Sequence, residues 1–492
     1  MIAFACAFAL AVSAAASNEP APIVAVSGNG GLTAGINADG VLAVLRWPNP
    51  GGPEQLATPV RGTPTGGGRW GIRLGENTLW VGDTNARVTT IPPSIDSGAV
   101  EATIDWPGTG VRANLRYHIA PGAATLLCSI SVSGAPGEPE TLWRADWAPR
   151  TKLVPELPYA DGALDAVNGF AAFIDAPNRR VWHLRPDQPG REDARRARAL
   201  GESRATLESW VDAFPDGLWI GVGLGDEFRI DGGEAYAVRP GSIASIVVPP
   251  VVSRDGEFRA TIAIAIGPSF EDAATLLGSA PTEDSFESEP RVRDQSARLV
   301  SLLHTLTDPA TGRIVRGVSA KPPLARDWPR YGAWAALALG GEVGARILDQ
   351  YLTAIRRVDA PGEPYGSLPE SFYTNGEIAS PRFIVDDRGP ARTLFAARRV
   401  SSAMPPEERA KWIGRHADSV RAAAEFLTAW ADPRRGAPLW SSDPVGLTGA
   451  DTHTRVFDQL AGVVAAIELL NEIREPVPDS WNQRAETLCD LT

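Results

Sequence analysis

Lysine is scarce in this chain of 492 residues, where arginine supplies nearly all of the positive charge and only Lys152, Lys321 and Lys411 occur. Acidic residues outnumber basic ones by 59 to 47, which gives a net charge of −12 at pH 7. Proteins that bind nucleic acid neutralise phosphates with clusters of basic side chains. No polybasic block reverses the negative balance locally, so the sequence excludes nucleic acid as a partner.

Cysteine and histidine are also few. The three cysteines are Cys6, Cys128 and Cys489, and none has a second cysteine at C-x-x-C spacing. The five histidines form no His-Glu-x-x-His pair or similar ligand pattern. A disulfide framework is therefore excluded. We predict that Cys128 and Cys489 are buried, unreactive thiols, and that the protein uses no structural metal and no zinc chemistry.

Long apolar runs are missing, since a membrane-spanning helix needs about 20 such residues. The first sixteen residues carry no charge and end in Ala14-Ala15-Ala16, the small-x-small form of a signal-peptidase site. We interpret residues 1–17 as a signal peptide and expect a secreted or periplasmic protein without a membrane span. The basic residues that normally open a signal peptide are absent, which leaves open a true start upstream of Met1.

The region from residue 18 to 280 has the pattern of an all-β domain. Glycine and proline recur every several residues, and the segments between them alternate apolar and polar side chains, most clearly over residues 258–266. Further strand patterns cover residues 79–81, 102–106, 113–119, 125–132 and 243–248. Many short strands joined by short turns predict a large antiparallel β-sandwich, or supersandwich.

The hydrophobic period changes to 3.6 residues in the C-terminal part of the chain. Residues 281–290 are acidic and predict a linker, because their composition cannot bury a core. From residue 291 to 492 we expect a helical domain of about six or seven helices, with the clearest apolar faces over residues 416–431 and 452–472. Another helix is predicted to begin at Trp328, with Pro329 in its first turn.

The start of that helix also carries a pattern typical of sugar recognition. It reads Asp327-Trp328-Pro329-Arg330-Tyr331. Aromatic faces can stack on sugar rings, and a guanidinium group can donate to ring hydroxyls. The alternative is that the tryptophan is a core residue and the arginine a surface charge.

Several passages of the chain occur in the order found in one known family. Residues 311–315 read Thr-Gly-Arg-Ile-Val and precede Trp-Pro-Arg at 328–330 and Ala-Ala-Leu-Ala-Leu at 335–339. This order is similar to the "TGAIVAS … WPRDAAFAALAL" passage of glycoside hydrolase family 15, the glucoamylases, in their prokaryotic form. Residues 386–391 fall where that family places a substrate-lining segment. The resemblance implies a β-sandwich followed by an (α/α) helical barrel of the six-hairpin glycosidase type.

The resemblance also implies a reaction, the inverting hydrolysis of α-glucosidic bonds in oligosaccharides or polysaccharides, with no cofactor. One carboxylic acid protonates the leaving oxygen, a carboxylate activates water on the opposite face, and the two lie roughly 6.5–9.5 Å apart. Carried over to this chain, it implies that Trp328, Arg330 and Asp387 bind sugar near the cleaved bond and that Trp440 forms an aromatic wall. Asp443 is the provisional acid.

Three features depart from the family's pattern. Tyr331 replaces the aspartate of "WPRD", for which Asp327 can substitute only in part, and the family's "DLWEE" loop corresponds to residues 439–443, Leu-Trp-Ser-Ser-Asp. The helical region has about half of the family's helices. We therefore expect an incomplete or altered barrel, or a second chain that completes it, and the resemblance does not establish turnover by this chain alone.

Two other functions remain open. The first is a non-catalytic carbohydrate-binding relative that lost the general acid. The second is a disaccharide phosphorylase, in which phosphate replaces water. The phosphorylase needs an anion pocket, and the helical half of the sequence shows no glycine-rich loop or basic cluster that predicts one.

Overall fold

The computed structural model describes residues 21–62, 66–90, 99–120, 122–147, 170–175, 178, 180–185, 195–196, 199–200, 203, 205–215, 217–224, 229–231, 236–239, 243–248, 251–252, 257–280, 300, 302–318, 326–359, 363–380, 385–439 and 451–491. The predicted signal peptide and the predicted linker at 281–290 lie outside these residues. The chain forms two compact units, Met1–Thr305 and Leu306–Thr492.

The first unit is built from β-strands. They are β1 (Ile23–Gly28), β2 (Thr33–Asn37), β3 (Leu42–Arg46), β4 (Gly67–Leu74), β5 (Asn77–Trp80), β6 (Arg87–Thr90), β7 (Ala99–Asp105), β8 (Arg112–Ile119), β9 (Thr125–Ser133), β10 (Glu140–Asp146), β11 (Phe170–Asp175), β12 (Arg180–Arg185), β13 (Leu218–Leu224), β14 (Arg229–Asp231), β15 (Tyr236–Arg239), β16 (Ile243–Val248), β17 (Val251–Val252) and β18 (Phe258–Gly267).

These strands form two antiparallel sheets. Among the described residues, one sheet has eight strands in the order β1-β2-β3-β4-β10-β16-β14, with β5 paired to β4. The other has ten, in the order β15-β11-β12-β13-β18-β9-β8-β7-β6, with β17 paired to β18. One hydrophobic core takes buried side chains from both sheets, among them Ile36 and Trp70 from the first and Leu115 and Ile262 from the second. The predicted antiparallel sandwich is present.

Period-two alternation explains which side chains enter this core. In β18, Ala260, Ile262, Ile264 and Ile266 are buried, as the alternation over residues 258–266 predicts. Cys128 in β9 is also buried, as expected, and burial raises the pKa of its thiol well above the usual value.

A smaller cluster covers the outer face of the second sheet. Helix α1 (Leu207–Ala213) and helix α2 (Phe270–Gly278) contribute Trp210 and Leu277, which are buried with Trp182 and Trp219 from the strands. Ser269 caps α2 by accepting a hydrogen bond from the backbone N–H of Asp272 at 3.1 Å.

The second unit is helical. In its described part, six helices follow: α3 (Pro329–Leu339), α4 (Gly341–Ala354), α5 (Arg388–Ser402), α6 (Pro406–Ala429), α7 (Asp451–Glu472) and α8 (Asp479–Asp490). The start of α3 and the span of α7 agree with the sequence prediction. Helix α6 begins ten residues before the predicted segment.

Three of these helices run side by side in the same direction. Arg392 of α5 contacts Arg330 near the start of α3, and Phe395, one turn later, contacts Trp334. Along α7, Asp458 pairs with Arg392 and Glu468 with Arg398. Helices α3, α5 and α7 therefore begin at one end of the unit. Gly462 allows α5 and α7 to pack closely, because a Cβ at this position would lie 2.7 Å from the Cα of Ala391.

The remaining helices, α4, α6 and α8, pack against these three. The structure corrects one prediction here: Cys489 of α8 is exposed. The buried face of α8 carries Trp481, Arg484 and Leu488, so the residue after Leu488 turns toward solvent. None of the helices in the described ranges has the length and apolar character needed to cross a membrane.

Candidate functional site

The loops at the end where α3, α5 and α7 begin are joined by single β-bridges. Asp327 pairs with both Val315 and Phe372 across the backbone, and Asp386 pairs with Leu368. The Asp327 N–H donates to the Phe372 carbonyl at 2.9 Å, and the Phe372 N–H donates back at 2.8 Å. These bridges fix the residues that precede α3 and α5, next to the predicted site residues Trp328 and Asp387.

Asp327 is fully buried, and both of its carboxylate oxygens are occupied. Its Oδ1 accepts from the Tyr351 hydroxyl at 2.5 Å, and its Oδ2 accepts from Nη1 of Arg313 at 3.0 Å. Burial raises the pKa of Asp327 to about 6, against the lowering effect of Arg313. With both oxygens used in this way, Asp327 connects the loop before α3 to Tyr351 of α4 and to Arg313.

Tyr351 reaches Asp327 from α4 only because residue 332 is glycine. A Cβ at Gly332 would overlap the hydroxyl oxygen of Tyr351. The two helices can therefore pack closely at this point, and the phenol can bridge from α4 to the loop before α3.

Arg330 is 2% exposed and lies among aromatic rings. Its guanidinium carbon is 5.3 Å from the ring centroid of Trp328 and 5.1 Å from that of Tyr331. A second cation, Arg316, lies 4.7 Å from the same Tyr331 ring. These are cation–π distances. The predicted residues Trp328 and Arg330 are therefore brought together, and the ring of Tyr331 lies near two guanidinium groups.

Arg392 of α5 connects the three parallel helices. Its Nη2 lies 2.8 Å from Oδ2 of Asp458 on α7, and its Nη1 donates to the Arg330 carbonyl of α3 at 3.1 Å. Its guanidinium carbon is 5.7 Å from the Trp334 ring of α3. Burial raises the pKa of Asp458, whereas the hydrogen bond from Arg392 lowers it.

Asp387 is fully buried and also has both oxygens engaged. Its Oδ1 accepts from Arg455 of α7, with Nη2 at 2.5 Å and Nε at 3.2 Å, and its Oδ2 accepts from Nε2 of Gln459 at 2.9 Å. Arg484 of α8 donates to Oε1 of Gln459 at 2.7 Å. Asp387 therefore ties the start of α5 to α7 and α8. Its predicted contact with sugar stays a prediction.

Asp386, the neighbouring residue, is 1% exposed and bonded differently. Its Oδ1 accepts from the backbone N–H of Arg388 at 3.1 Å. Its Oδ2 has no hydrogen-bond partner among the residues that the structure describes. Burial raises the pKa of Asp386 to about 6; the positive charge of Arg330 lowers it, and the negative charge of Asp387 raises it further.

Two of the predicted site residues, Trp440 and Asp443, lie outside the described residues. Arg455, the partner of Asp387, was not predicted from the sequence.

The fold of this chain is similar to that of solved structures. A bacterial glucoamylase in complex with acarbose has a TM-score of 0.60 at 10% sequence identity, over 96% of this chain and 67% of that chain. The likeness is one of fold. A putative kojibiose phosphorylase from the human microbiome gives 0.48 at 10% identity, over 94% of this chain and 66% of that one. The chain thus spans about two thirds of each. No family model and no curated protein matches the sequence.

Proposed function

We propose that the protein is a glycoside hydrolase of the glucoamylase type that binds an oligosaccharide or polysaccharide where α3, α5 and α7 begin. Its reaction is the inverting hydrolysis of an α-glucosidic bond. Support for the general architecture comes from the likeness in fold to a bacterial glucoamylase. That enzyme is solved with acarbose, and we extend oligosaccharide binding to this chain as part of the proposal.

The placement of Arg330 is the observation that carries the proposal. A buried guanidinium between the rings of Trp328 and Tyr331 offers hydrogen-bond donors next to aromatic surface. Tyr331 is 38% exposed, so part of its side chain remains accessible to a ligand beside the two guanidinium groups. Donors with a fixed fork geometry beside aromatic faces suit a ligand that has both hydroxyl groups and an apolar ring face.

Acid–base chemistry requires a second set of groups. Inverting hydrolysis needs a proton donor and a base on opposite faces of the bond, roughly 6.5–9.5 Å apart. We assign the donor to Asp443, as the resemblance suggests, and Trp440 to the wall of the site. A raised pKa, of the kind that burial gives to Asp386, would suit a proton donor at neutral pH.

We further propose that the helical unit is part of an (α/α) barrel and that the protein works outside the cytoplasm. The barrel is supported by the parallel helices α3, α5 and α7, against which α4, α6 and α8 pack. Exposed aromatic side chains remain on two of the parallel helices, Trp334 on α3 and Phe457 on α7. The second chain that could cover them stays a prediction.

One experiment separates hydrolysis from binding alone. Glucose release from maltooligosaccharides is measured beside isothermal titration with the same sugars, in the wild type and in Arg330→Lys, with and without inorganic phosphate. Hydrolysis predicts phosphate-independent release that falls at least tenfold in Arg330→Lys. Release that requires phosphate would favour the phosphorylase, and no binding of any of these sugars would overturn the assignment.

The bonding of the carboxylates favours a second candidate, a carbohydrate-binding protein without turnover. Asp327, Asp387 and Asp458 all accept hydrogen bonds from arginine. At this end of the described helices, Asp386 alone of these aspartates keeps a carboxylate oxygen without any hydrogen-bond donor. Binding without glucose release would establish this candidate in place of the hydrolase.

A further inference from the structure

We propose that Asp386, resting on the function proposed above, is the sugar-binding carboxylate of this site. Its Oδ2 accepts a hydrogen bond from a hydroxyl group of the sugar ring that Arg330 contacts. Asp387, one residue later in the chain, stabilises the fold and does not contact the ligand.

The geometry around Asp386 separates its two oxygens. Oδ1 is held by the N–H of Arg388 in the first turn of α5. Oδ2 lies near Gly389. A Cβ atom added to this glycine would be 3.7 Å from Oδ2, 3.7 Å from Cδ2 of Leu368 and 3.9 Å from Cβ of Pro329. Oδ2 therefore lies beside the first turn of α5, in a region that Leu368 and Pro329 also approach, and no donor among the described residues reaches it.

An oxygen in this position lowers the stability of the ligand-free protein. A buried carboxylate oxygen without a hydrogen-bond donor loses its hydration and regains nothing for it. An unsatisfied buried group calls for a specific explanation, and groups with strongly perturbed pKa values cluster at functional sites. The bridge to Leu368 fixes the backbone of Asp386, and turning the carboxylate away would break its hydrogen bond with the N–H of Arg388.

Charge places the same residue beside Arg330. The guanidinium of Arg330 acts on Asp386 strongly enough to lower the pKa of its carboxyl group, although burial still raises that pKa to about 6. An acceptor beside a donor matches a sugar ring, whose neighbouring hydroxyl groups can donate to one and accept from the other. Above pH 7 the carboxyl group is ionised and acts purely as an acceptor.

A ligand-binding role and a structural role predict opposite effects on stability. If Asp386 holds the fold together, its isosteric replacement destabilises the protein. If Oδ2 binds a ligand, the replacement removes a buried charge from the free protein. The melting temperature of the variant then stays the same or rises, and its affinity for sugar falls. Asp387→Asn is the matched control, because it changes the next residue in the same way and breaks the bonds from Arg455 and Gln459.

The test combines calorimetric titration of maltotriose and isomaltotriose at pH 8 with thermal unfolding of wild type, Asp386→Asn and Asp387→Asn. We expect Asp386→Asn to lose at least tenfold in affinity without a fall in melting temperature, and Asp387→Asn to melt several degrees lower. Unchanged affinity in Asp386→Asn would overturn the inference and leave the proposed function standing. A fall in its melting temperature equal to that of Asp387→Asn would also overturn it.

A measurement on the wild type alone covers the case in which the variant does not fold. We expect affinity for the same trisaccharides to weaken at least threefold between pH 8 and pH 4.5, as the Asp386 carboxylate takes up a proton. A flat profile contradicts the inference. If the wild type binds neither sugar at any pH, the inference and the proposed function both fail.

Discussion

Arg455 and Asp387 form a buried ion pair, with Nη2 of the arginine 2.5 Å from Oδ1 of the aspartate. The pair joins α7 to the start of α5 across 68 residues of sequence. Nη2 of Arg455 also donates to the Leu439 carbonyl at 2.8 Å, so one guanidinium holds a helix start and a loop together. The hydrogen bonds matter to such a pair because desolvation opposes its Coulomb attraction.

Asp387→Asn tests how much this pair contributes to the stability of the protein. The change leaves Arg455 buried without its counter-charge, and we expect the free energy of unfolding to fall by about 3–5 kcal/mol. Urea unfolding followed by circular dichroism measures the change. Glu342→Gln is the control, because Glu342 pairs with Arg346 in solvent; it should change stability by at most about 1 kcal/mol. Equal losses of unfolding free energy in the two variants would show that the buried pair contributes no more to stability than the exposed one.

Gly332→Ala tests the close packing of α3 and α4. The added methyl group would overlap the hydroxyl of Tyr351. The phenol must then move from Asp327, and we expect a loss of about 2–4 kcal/mol from overpacking and the broken hydrogen bond. Gly414→Ala is the matched control, because nothing lies within 4 Å of a Cβ there and the residue is exposed on α6. It should stabilise by about 0.5–1 kcal/mol, and the prediction is wrong if both changes act in the same direction.

The pH dependence of stability should differ between the wild type and Asp386→Asn. The folded-state pKa of Asp386, about 6, lies above the unfolded value of about 3.9. The group therefore stabilises the fold below about pH 4, and this contribution is lost as pH rises through 6. Between pH 4 and pH 7 the free energy of unfolding of the variant should rise relative to that of the wild type, by up to about 3 kcal/mol. Asp327 titrates in both proteins, so its effect cancels. Urea unfolding at several pH values checks this, and a constant difference would contradict it.

Export can be tested on the amino terminus itself. When the whole chain is expressed in a bacterium with a periplasm, we expect the protein in the periplasm or medium to begin at residue 17 or 18, after the Ala14-Ala15-Ala16 run. Intact-mass measurement gives the first residue. Replacing Ala14 and Ala16 by larger residues should abolish the cleavage. An intact chain confined to the cytoplasm would contradict the proposed localisation.

The regular parts of the fold were predictable from the sequence. The first part of strand β18 buries one face only, so its alternation is visible, and the apolar stripe of α7 matches its span, Asp451–Glu472. Strands β2 and β3 are buried along their whole length, which removes the alternation that would reveal them. Helix α6 was predicted too short because its first turns carry Glu407 and Glu408 and little apolar surface.

The site was only partly predictable, for a different reason. Trp328 and Arg330 share one short segment, so their proximity follows from sequence spacing. The choice between Asp386 and Asp387 depends on which direction each side chain takes as the chain enters α5. That direction is set by Arg455 and Gln459, which lie 68 and 72 residues from Asp387 along the chain. A pattern read within a short window contains no information about partners at that distance.

Arg392 reaches all three parallel helices with one side chain, and this has a consequence for how the site end of the unit opens. The first turns of α3, α5 and α7 should exchange their amide hydrogens as one cooperative group, because freeing any one helix breaks bonds to the others. A ligand that settles against one helix start would then slow exchange at all three. Its footprint in a hydrogen-exchange map would be wider than the area that it touches.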